Sequence, residues 1–398
     1  MERGRITWPQ LSMLLYLMVG ATSVLALPTI SAQFAKHDMW LSPIVGSVTG
    51  FFTLAVVLKL HSYYPELTLV QQAELLLGRW LGGAANVVVL LFIWHGTGLI
   101  TREYGEFIVG SVLIRTPQPV VVFCFIFICA VAIRGGIEVI GRFSMLIAPV
   151  FLGFIVLIPL MLIPNLDVMQ TFPVMEHGWE PVWKGSILPL TWFMEFALAG
   201  LILPFVKGSR SKWKWGMSAV ALMLFTMVVT NLTCLWFFGT LSSMFTFPIF
   251  AASRYISLGD FFEHMEAIIM VLWVLSGFVQ VITWYYILVI GTAQWLKLED
   301  YRPIVFPIGL LMIIMTFWIT DNMQDMIDLF MTTEPLLSAT VQVVYPALLL
   351  GLAWLRQRGK GKDEGAARRE RAGGEARGCG GRGQRPVKRP LLVSPQPM

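Results

Sequence analysis

The chain has 398 residues, of which 56% are hydrophobic and 13% charged, and its mean hydropathy is +0.71. That balance lies outside the range of soluble globular domains and makes lipid the main solvent. The surplus of 29 Lys and Arg over 24 Asp and Glu is no general anion-binding signal, because 12 of the bases and only 4 of the acids lie after residue 355.

Apolar runs able to cross about 30 Å of hydrocarbon fall near 8–30, 42–60, 84–113, 119–134, 143–163, 185–206, 215–239, 261–295, 303–320 and 334–355. They define an all-α integral membrane protein of about ten transmembrane helices. The first run reaches Ile30 without a small-x-small exit, so it is expected to stay as span 1 rather than be removed as a signal peptide. Outside the spans, the N-terminus and the loops after spans 2, 4, 6 and 8 hold 12 Lys and Arg, and the other loops hold 4. Cytoplasmic loops carry the basic excess, so both termini are expected in the cytoplasm.

Span 1 contains Gly20-Ala21-Thr22-Ser23-Val24-Leu25-Ala26-Leu27-Pro28, in which small and hydroxyl residues precede a Leu-Pro. Span 6 repeats the pattern from Phe196 through Ala199 and Gly200 to Leu203-Pro204. Spans 3 and 8 are the longest, and each is third in a set of five. Five is odd, so two five-helix repeats must insert with opposite orientation. Proline removes a backbone donor, and free backbone groups at membrane depth are tolerated only where protein or a polar cavity meets them. Helices 1 and 6 are therefore expected to be broken around a midplane site, with simple proline kinks as the competing reading.

Other residues with chemical content follow in chain order. In span 3, Arg102 and Glu106 sit at i, i+4 as a structural ion pair, and His95-Gly96-Thr97-Gly98 lies two turns deeper. There the glycines would allow either a ligand or a neighbouring helix to approach closely. Glu195 in span 6 costs at least about 2.5 kcal/mol at mid-membrane, so it should face a cavity, a proton path, an amine or hydrated interface. The bases from Lys207 to Lys214, with Trp213 and Trp215, read as an anchor to lipid headgroups. At the start of span 8, Asp260 and Glu263 suit a capping box, and deeper Gln280 and Trp284 stand one turn apart. Asp321, Asp325, Asp328 and Glu334 form an acidic loop between spans 9 and 10, expected to face outward as a solvated surface.

Cys124, Cys129, Cys234 and Cys379 have no metal-ligand spacing. With no P-loop and no nucleophile elbow either, neither ATP-driven transport, an enzyme, a metal nor a cofactor is expected. The tail 356–398, with nine glycines, is too poor in apolar residues to fold alone. Its bases suit a lipid surface better than nucleic acid. The chain thus divides into a ten-span domain, 1–355, and a disordered basic cytoplasmic tail, 356–398.

Several local patterns, in order, carry a family resemblance over about residues 5 to 355. They are Ala21 to Pro28, Thr101-Arg102 followed by Arg115-Thr116-Pro117, Gly135-Gly136-Ile137-Glu138 with Arg142-Phe143, and Gly259 to Ile268 followed by Trp273. The chain resembles the endospore germination permeases, the B-type membrane subunits of nutrient germinant receptors, which are similar to the amino acid–polyamine–organocation transporters. It departs from that pattern at Ala21 and Ser23, where glycine is usual, at His264 in place of arginine, and in the long tail.

The resemblance implies a leucine transporter-like fold and a ligand site between spans 1, 3, 6 and 8. The candidate residues are Ala21, Thr22, Ser23, Val24, Gly96, Glu195, Phe196, Leu198, Ala199, Gln280 and Trp284. For Thr22 and Ser23 the competing reading is a hydrogen bond back to their own helix, and for Gln280 an interhelical bond. The implied role is a spore germination receptor subunit in the inner membrane of a bacterial endospore. It would bind a small nutrient, with an amino acid the expected class, alongside an A-type membrane subunit and a C-type lipoprotein. The alternative is a proton-coupled amino acid or amine secondary transporter working through Glu195.

Overall fold

A computed structural model describes the chain apart from residues 1, 3, 112, 209–210, 257–264 and 359–398, and gives only the backbone at 265, 266 and 323. The described residues are helical, with one isolated parallel β-bridge between Ile6 and Val206. The helices are α1 (Trp8–Ala35), α2 (Ser42–Tyr63), α3 (Leu69–Leu77), α4 (Arg79–Ser111), α5 (Gln118–Arg134), α6 (Ile137–Leu162), α7 (Trp179–Met194), α8 (Lys212–Phe238), α9 (Pro248–Ser253), α10 (Met265–Trp295), α11 (Val305–Trp318) and α12 (Met323–Ser338). The helices α3 and α9 are short; nine of the others fall on the first nine apolar runs, and α12 begins at Met323, ahead of the tenth run, which it meets only from Glu334 to Ser338. Six stretches are long and apolar enough to cross a membrane; the first, Trp8–Tyr63, holds both α1 and α2. The helices Gln118–Arg134 and Arg302–Trp318 are apolar but shorter, and α7 is cut short by a break.

Burial sorts the helices. α1 is buried on all sides, from Leu11 through Leu17 and Val24 to Ala35, which places it at the centre of the bundle. α6, α7, α8 and α10 surround it. α5, by contrast, exposes Val120, Phe123, Phe127, Ile128 and Val131, an apolar face that only lipid solvates well. On α2, Ser42, Gly46 and Gly50 recur every four residues and let its backbone approach α7 closely.

The expected break in helix 1 is absent. α1 runs as one α-helix with Pro28 inside it. A single proline withdraws one donor, and the helix keeps its remaining turns within a fully packed surround. Its small residues serve packing: a Cβ on Gly20 would stand 3.3 Å from Met223 Sδ.

Helix 6 is broken. α7 stops at Met194, a 3₁₀ segment runs from Glu195 to Leu201, and another from Leu203 to Phe205 precedes extended Val206. Seven residues is long for a 3₁₀ segment, which usually spans three or four and, when longer, often marks a hinge or strain. Past the break the N-terminal segment straps across it. Ile6 N–H donates to the Phe205 carbonyl at 2.9 Å, Lys207 N–H to the Ile6 carbonyl at 2.8 Å, and Arg5 Nη1 to the Pro204 carbonyl at 2.6 Å. Glu2 completes the strap, its Oε2 accepting from the Tyr286 and Tyr301 hydroxyls at 3.1 Å each.

The last crossing is also irregular. α12 passes into a π-helical turn, Ala339–Val344, and such turns often occur at functional sites. Residues 351–358 are helical, with the Arg358 guanidinium 3.8 Å from the centre of the Trp354 ring.

Candidate functional site

Beside the break lies a small cavity of about 30 Å³. Thr22 of α1 reaches it, as do Phe92, Gly96, Leu99, Ile100 and Glu103 of α4, Thr191 and Trp192 of α7, Glu195 at the break, Trp284 of α10, and Phe330, Glu334, Ser338 and Gln342 of the last crossing. On α4 the positions 96, 99, 100 and 103 follow the helical period, so one face of a long helix supplies that wall.

Two elements hold the cavity shut. Gln280 of α10 grips Thr22 twice: its Nε2 donates to the Thr22 hydroxyl at 3.0 Å, and its Oε1 accepts from the Thr22 N–H at 3.2 Å. Across from it the Trp284 indole lies flat on Gly96, where a Cβ would come within 2.6 Å of the ring carbon Cζ3. Gly96 therefore makes room for an aromatic ring rather than for free space.

That fit yields a prediction. Gly96→Ala is expected to destabilise the protein by about 1–3 kcal/mol through overpacking, and Trp284→Phe in the same chain should restore part of the loss. A double-mutant cycle of unfolding midpoints checks this, and zero coupling would show that the two residues do not meet.

The expected site residues divide into two groups. Thr22, Gly96, Glu195 and Trp284 line the cavity, and Gln280 stands behind Thr22. Ala21, Ser23, Val24, Phe196, Leu198 and Ala199 are buried but do not line it. Ser23 turns its hydroxyl back to the Gly20 carbonyl at 3.3 Å, and Phe196 stacks on Phe193 with ring centres 6.2 Å apart.

Of the wall residues outside the expected set, Glu103, Glu334 and Gln342 carry acid or amide groups. Arg102 and Glu106 do pair, at 2.8 Å, and Glu103 beside them turns inward to the cavity. Glu334 was assigned to a solvated loop, but α12 begins at Met323, after the Asn322 side chain caps the N–H groups of Gln324 and Asp325. Asp325 and Asp328 are exposed there, whereas Glu334 is 5% exposed. The signal was available: Met326, Phe330, Glu334 and Ser338 recur every four residues, one face of a helix. Gln342, on the π turn, is the next position of that series. Asp260, Glu263 and the side chain of Glu266 lie outside the described residues.

Glu195 occupies the first position of the 3₁₀ segment and is 7% exposed. The carboxylates of Glu103 and Glu334 act on it, as does the Trp284 indole. Glu195 Oε2 and Trp284 Nε1 nonetheless lack a hydrogen bond. Among the described residues no group of His, Cys, Asp and Glu is arranged to hold a metal ion.

A broken helix beside a buried cavity within a bundle of apolar helices defines a membrane protein with a transporter-like fold. Solved structures agree on the fold. A sodium-coupled sialic acid symporter in a substrate-bound outward-open state superposes with a TM-score of 0.64 at 12% identity, over 88% of this chain and 78% of that one. A nucleobase–cation symport-1 family transporter, closed around bromovinylhydantoin, gives a TM-score of 0.60 at 14% identity, over 87% and 78%. This is the leucine-transporter type of fold, two inverted repeats of five helices.

Sequence comparison identifies the family. Residues 5–324 match the model described as Spore germination protein, and the chain belongs to that family of spore permeases. Among its relatives, spore germination protein KB of Bacillus subtilis (strain 168) is 24% identical over 374 residues, covering 92% of this chain and 99% of the relative. Spore germination protein YndE of the same organism is 24% identical over 366 residues, covering 90% and 98%. Spore germination protein XB of Bacillus anthracis is 26% identical over 276 residues, covering 66% and 75%.

Proposed function

We propose that this protein is the multi-spanning, B-type subunit of a nutrient germinant receptor, and that it binds a small nutrient in the cavity beside the break in helix 6. The observation that carries this is the cavity itself. It brings carboxyl, hydroxyl and amide groups together with aromatic rings, and is built from both repeats where the backbone leaves the α-helix. Amino acids are the first class to test. A nutrient that fits one packing of the break against α1, α4 and α12 better than another shifts the equilibrium between them.

In this reading the protein sits in the inner membrane of the spore with both termini in the cytoplasm and residues 356–398 as a cytoplasmic tail. An A-type membrane subunit and a C-type lipoprotein receive the change. The membrane lipid, and no nucleic acid, completes its surroundings.

The test is a thermal-unfolding screen of the purified chain in detergent against amino acids, sugars and nucleosides. One class should raise the midpoint and saturate, since a ligand at 100 times its Kd adds about 2.7 kcal/mol to stability. If no class does so, the receptor reading fails.

One observation favours a second reading. Glu103, Glu195 and Glu334 are buried without a lysine or arginine partner, as proton-carrying carboxylates of secondary transporters are. A proton-coupled amino acid or amine transporter working through Glu195 would accumulate its substrate in vesicles containing this chain alone, driven by a pH gradient. Saturable binding without uptake decides for the receptor.

A further inference from the structure

Three carboxylates converge on the cavity: Glu103, Glu195 and Glu334, which are 1%, 7% and 5% exposed. Each keeps an oxygen without a hydrogen bond, namely Glu103 Oε1, Glu195 Oε2 and Glu334 Oε1. No lysine or arginine lines the cavity. Arg102, next to Glu103 in sequence, is committed to Glu106 and to the Asp321 carbonyl. His95 Nδ1 stands 3.0 Å from Glu334 Oε1, and His95 does not itself line the cavity.

Four aromatic rings share the wall with them. Phe92 packs against Trp284 with ring centres 6.3 Å apart, and Trp192 against Phe330 at 6.4 Å, and all four rings border the cavity. The faces of aromatic rings attract cations, and such cages are a recurrent means of holding ammonium groups. Carboxylates and ring faces thus favour the same sign of charge.

A carboxylate ligand has little to meet here. The Thr22 N–H is taken up by Gln280 Oε1, the Thr22 hydroxyl accepts from Gln280 Nε2 and keeps its own proton, and the Thr191 hydroxyl donates to the Ile187 carbonyl. The donors available on the described wall, among them the Thr22 O–H, Trp284 Nε1 and Gln342 Nε2, are neutral. They do not offset repulsion from three acids.

Resting on the reading of this cavity as the nutrient site, we infer that the ligand group seated in it is an ammonium cation without a neighbouring carboxylate: the preferred ligand is a primary amine rather than a zwitterionic amino acid. The cavity, about 30 Å³, matches the volume share of one water molecule. It takes an ammonium head as it stands.

The experiment uses the full chain in detergent and its thermal-unfolding midpoint. Methylammonium, ethylammonium and isobutylammonium chlorides are titrated against glycine, alanine and valine, which differ from them only by the carboxylate. Glucose, inosine and potassium chloride at equal ionic strength complete the set.

The amines are expected to raise the midpoint with half-saturation at least about tenfold below that of their amino acid partners, a difference of about 1.4 kcal/mol. Glu103→Gln and Glu334→Gln should each raise the half-saturating amine concentration by a similar factor, with the unliganded midpoint unchanged or higher. Stabilisation by amino acids, glucose or inosine but not by amines overturns the ammonium inference and leaves the nutrient site standing. An equal effect of potassium chloride, or unchanged amine binding in the Gln variants, overturns it as well. Stabilisation by none of these probes overturns both. The wild-type titrations decide by themselves if a Gln variant does not fold.

Discussion

Gly46→Ala is expected to destabilise the protein by about 2 kcal/mol and to lower its unfolding midpoint in detergent. An added Cβ at that position would stand 2.5 Å from Pro189 Cβ, 2.9 Å from the Pro189 carbonyl carbon and 3.0 Å from the Leu190 nitrogen. Two of those atoms are backbone, so no side chain can rotate away, and α2 and α7 must separate. Overpacking of this kind costs about 1–3 kcal/mol, and backbone neighbours place it at the upper end. The better helix propensity of alanine returns at most about 1 kcal/mol.

Separation would also loosen the bond from the Thr49 hydroxyl to the Leu190 carbonyl, 2.9 Å long, one turn further along. Gly153→Ala in α6 is the control, because a Cβ there meets nothing within 4 Å. It should be neutral or slightly stabilising. Equal midpoints for the two variants would refute the close approach of α2 and α7, on which the placement of the break depends.

Glu195→Gln is expected to separate stability from function. A carboxylate at membrane depth costs at least about 2.5 kcal/mol when nothing compensates it, and Glu195 Oε2 has no hydrogen bond. The amide is isosteric and uncharged, so the unfolding midpoint should hold or rise. The nutrient response of spores carrying the variant should fall by at least about tenfold, the loss of about 1.4 kcal/mol of ligand interaction. Functional sites commonly hold groups that stability alone would remove.

Glu106→Gln provides the contrast. Its carboxylate pairs with Arg102 at 2.8 Å and is 30% exposed, so it should lose a little stability through the broken pair and leave the response intact. A normal response in Glu195→Gln spores at normal protein level would remove Glu195 from the site. A lowered midpoint would show that the carboxylate is held structurally.

The boundaries of the crossings were legible because hydrocarbon thickness sets a length and hydropathy reads it. Composition alone fixed lipid as the solvent, and the small residues Ala197, Ala199 and Gly200 ahead of Leu203-Pro204 in span 6 announced a break that the structure contains. The same pattern in span 1 misled. Ala21 to Pro28 resembles the span 6 segment closely, yet α1 stays helical. Whether small residues and a proline unwind a helix depends on what packs around them, and α1 is enclosed on every side.

The candidate site was legible in part for the same reason. Glu195, Gly96 and Trp284 stood out as a lone acid, a small residue and a large ring at plausible depth. Glu103 was hidden beside an ion pair that accounted for its neighbours, and Glu334 among acids that are in fact exposed. Glu103 and Glu195 are 92 residues apart in the sequence, and Glu195 and Glu334 are 139 apart. Nothing local ties one to another. By itself the sequence determined the solvent, the number of crossings and the family, because each depends on local hydropathy or local motif. The tertiary structure decided which helix breaks, which hydroxyls turn back on their own helix and which carboxylates meet, because burial and proximity arise only when distant helices pack.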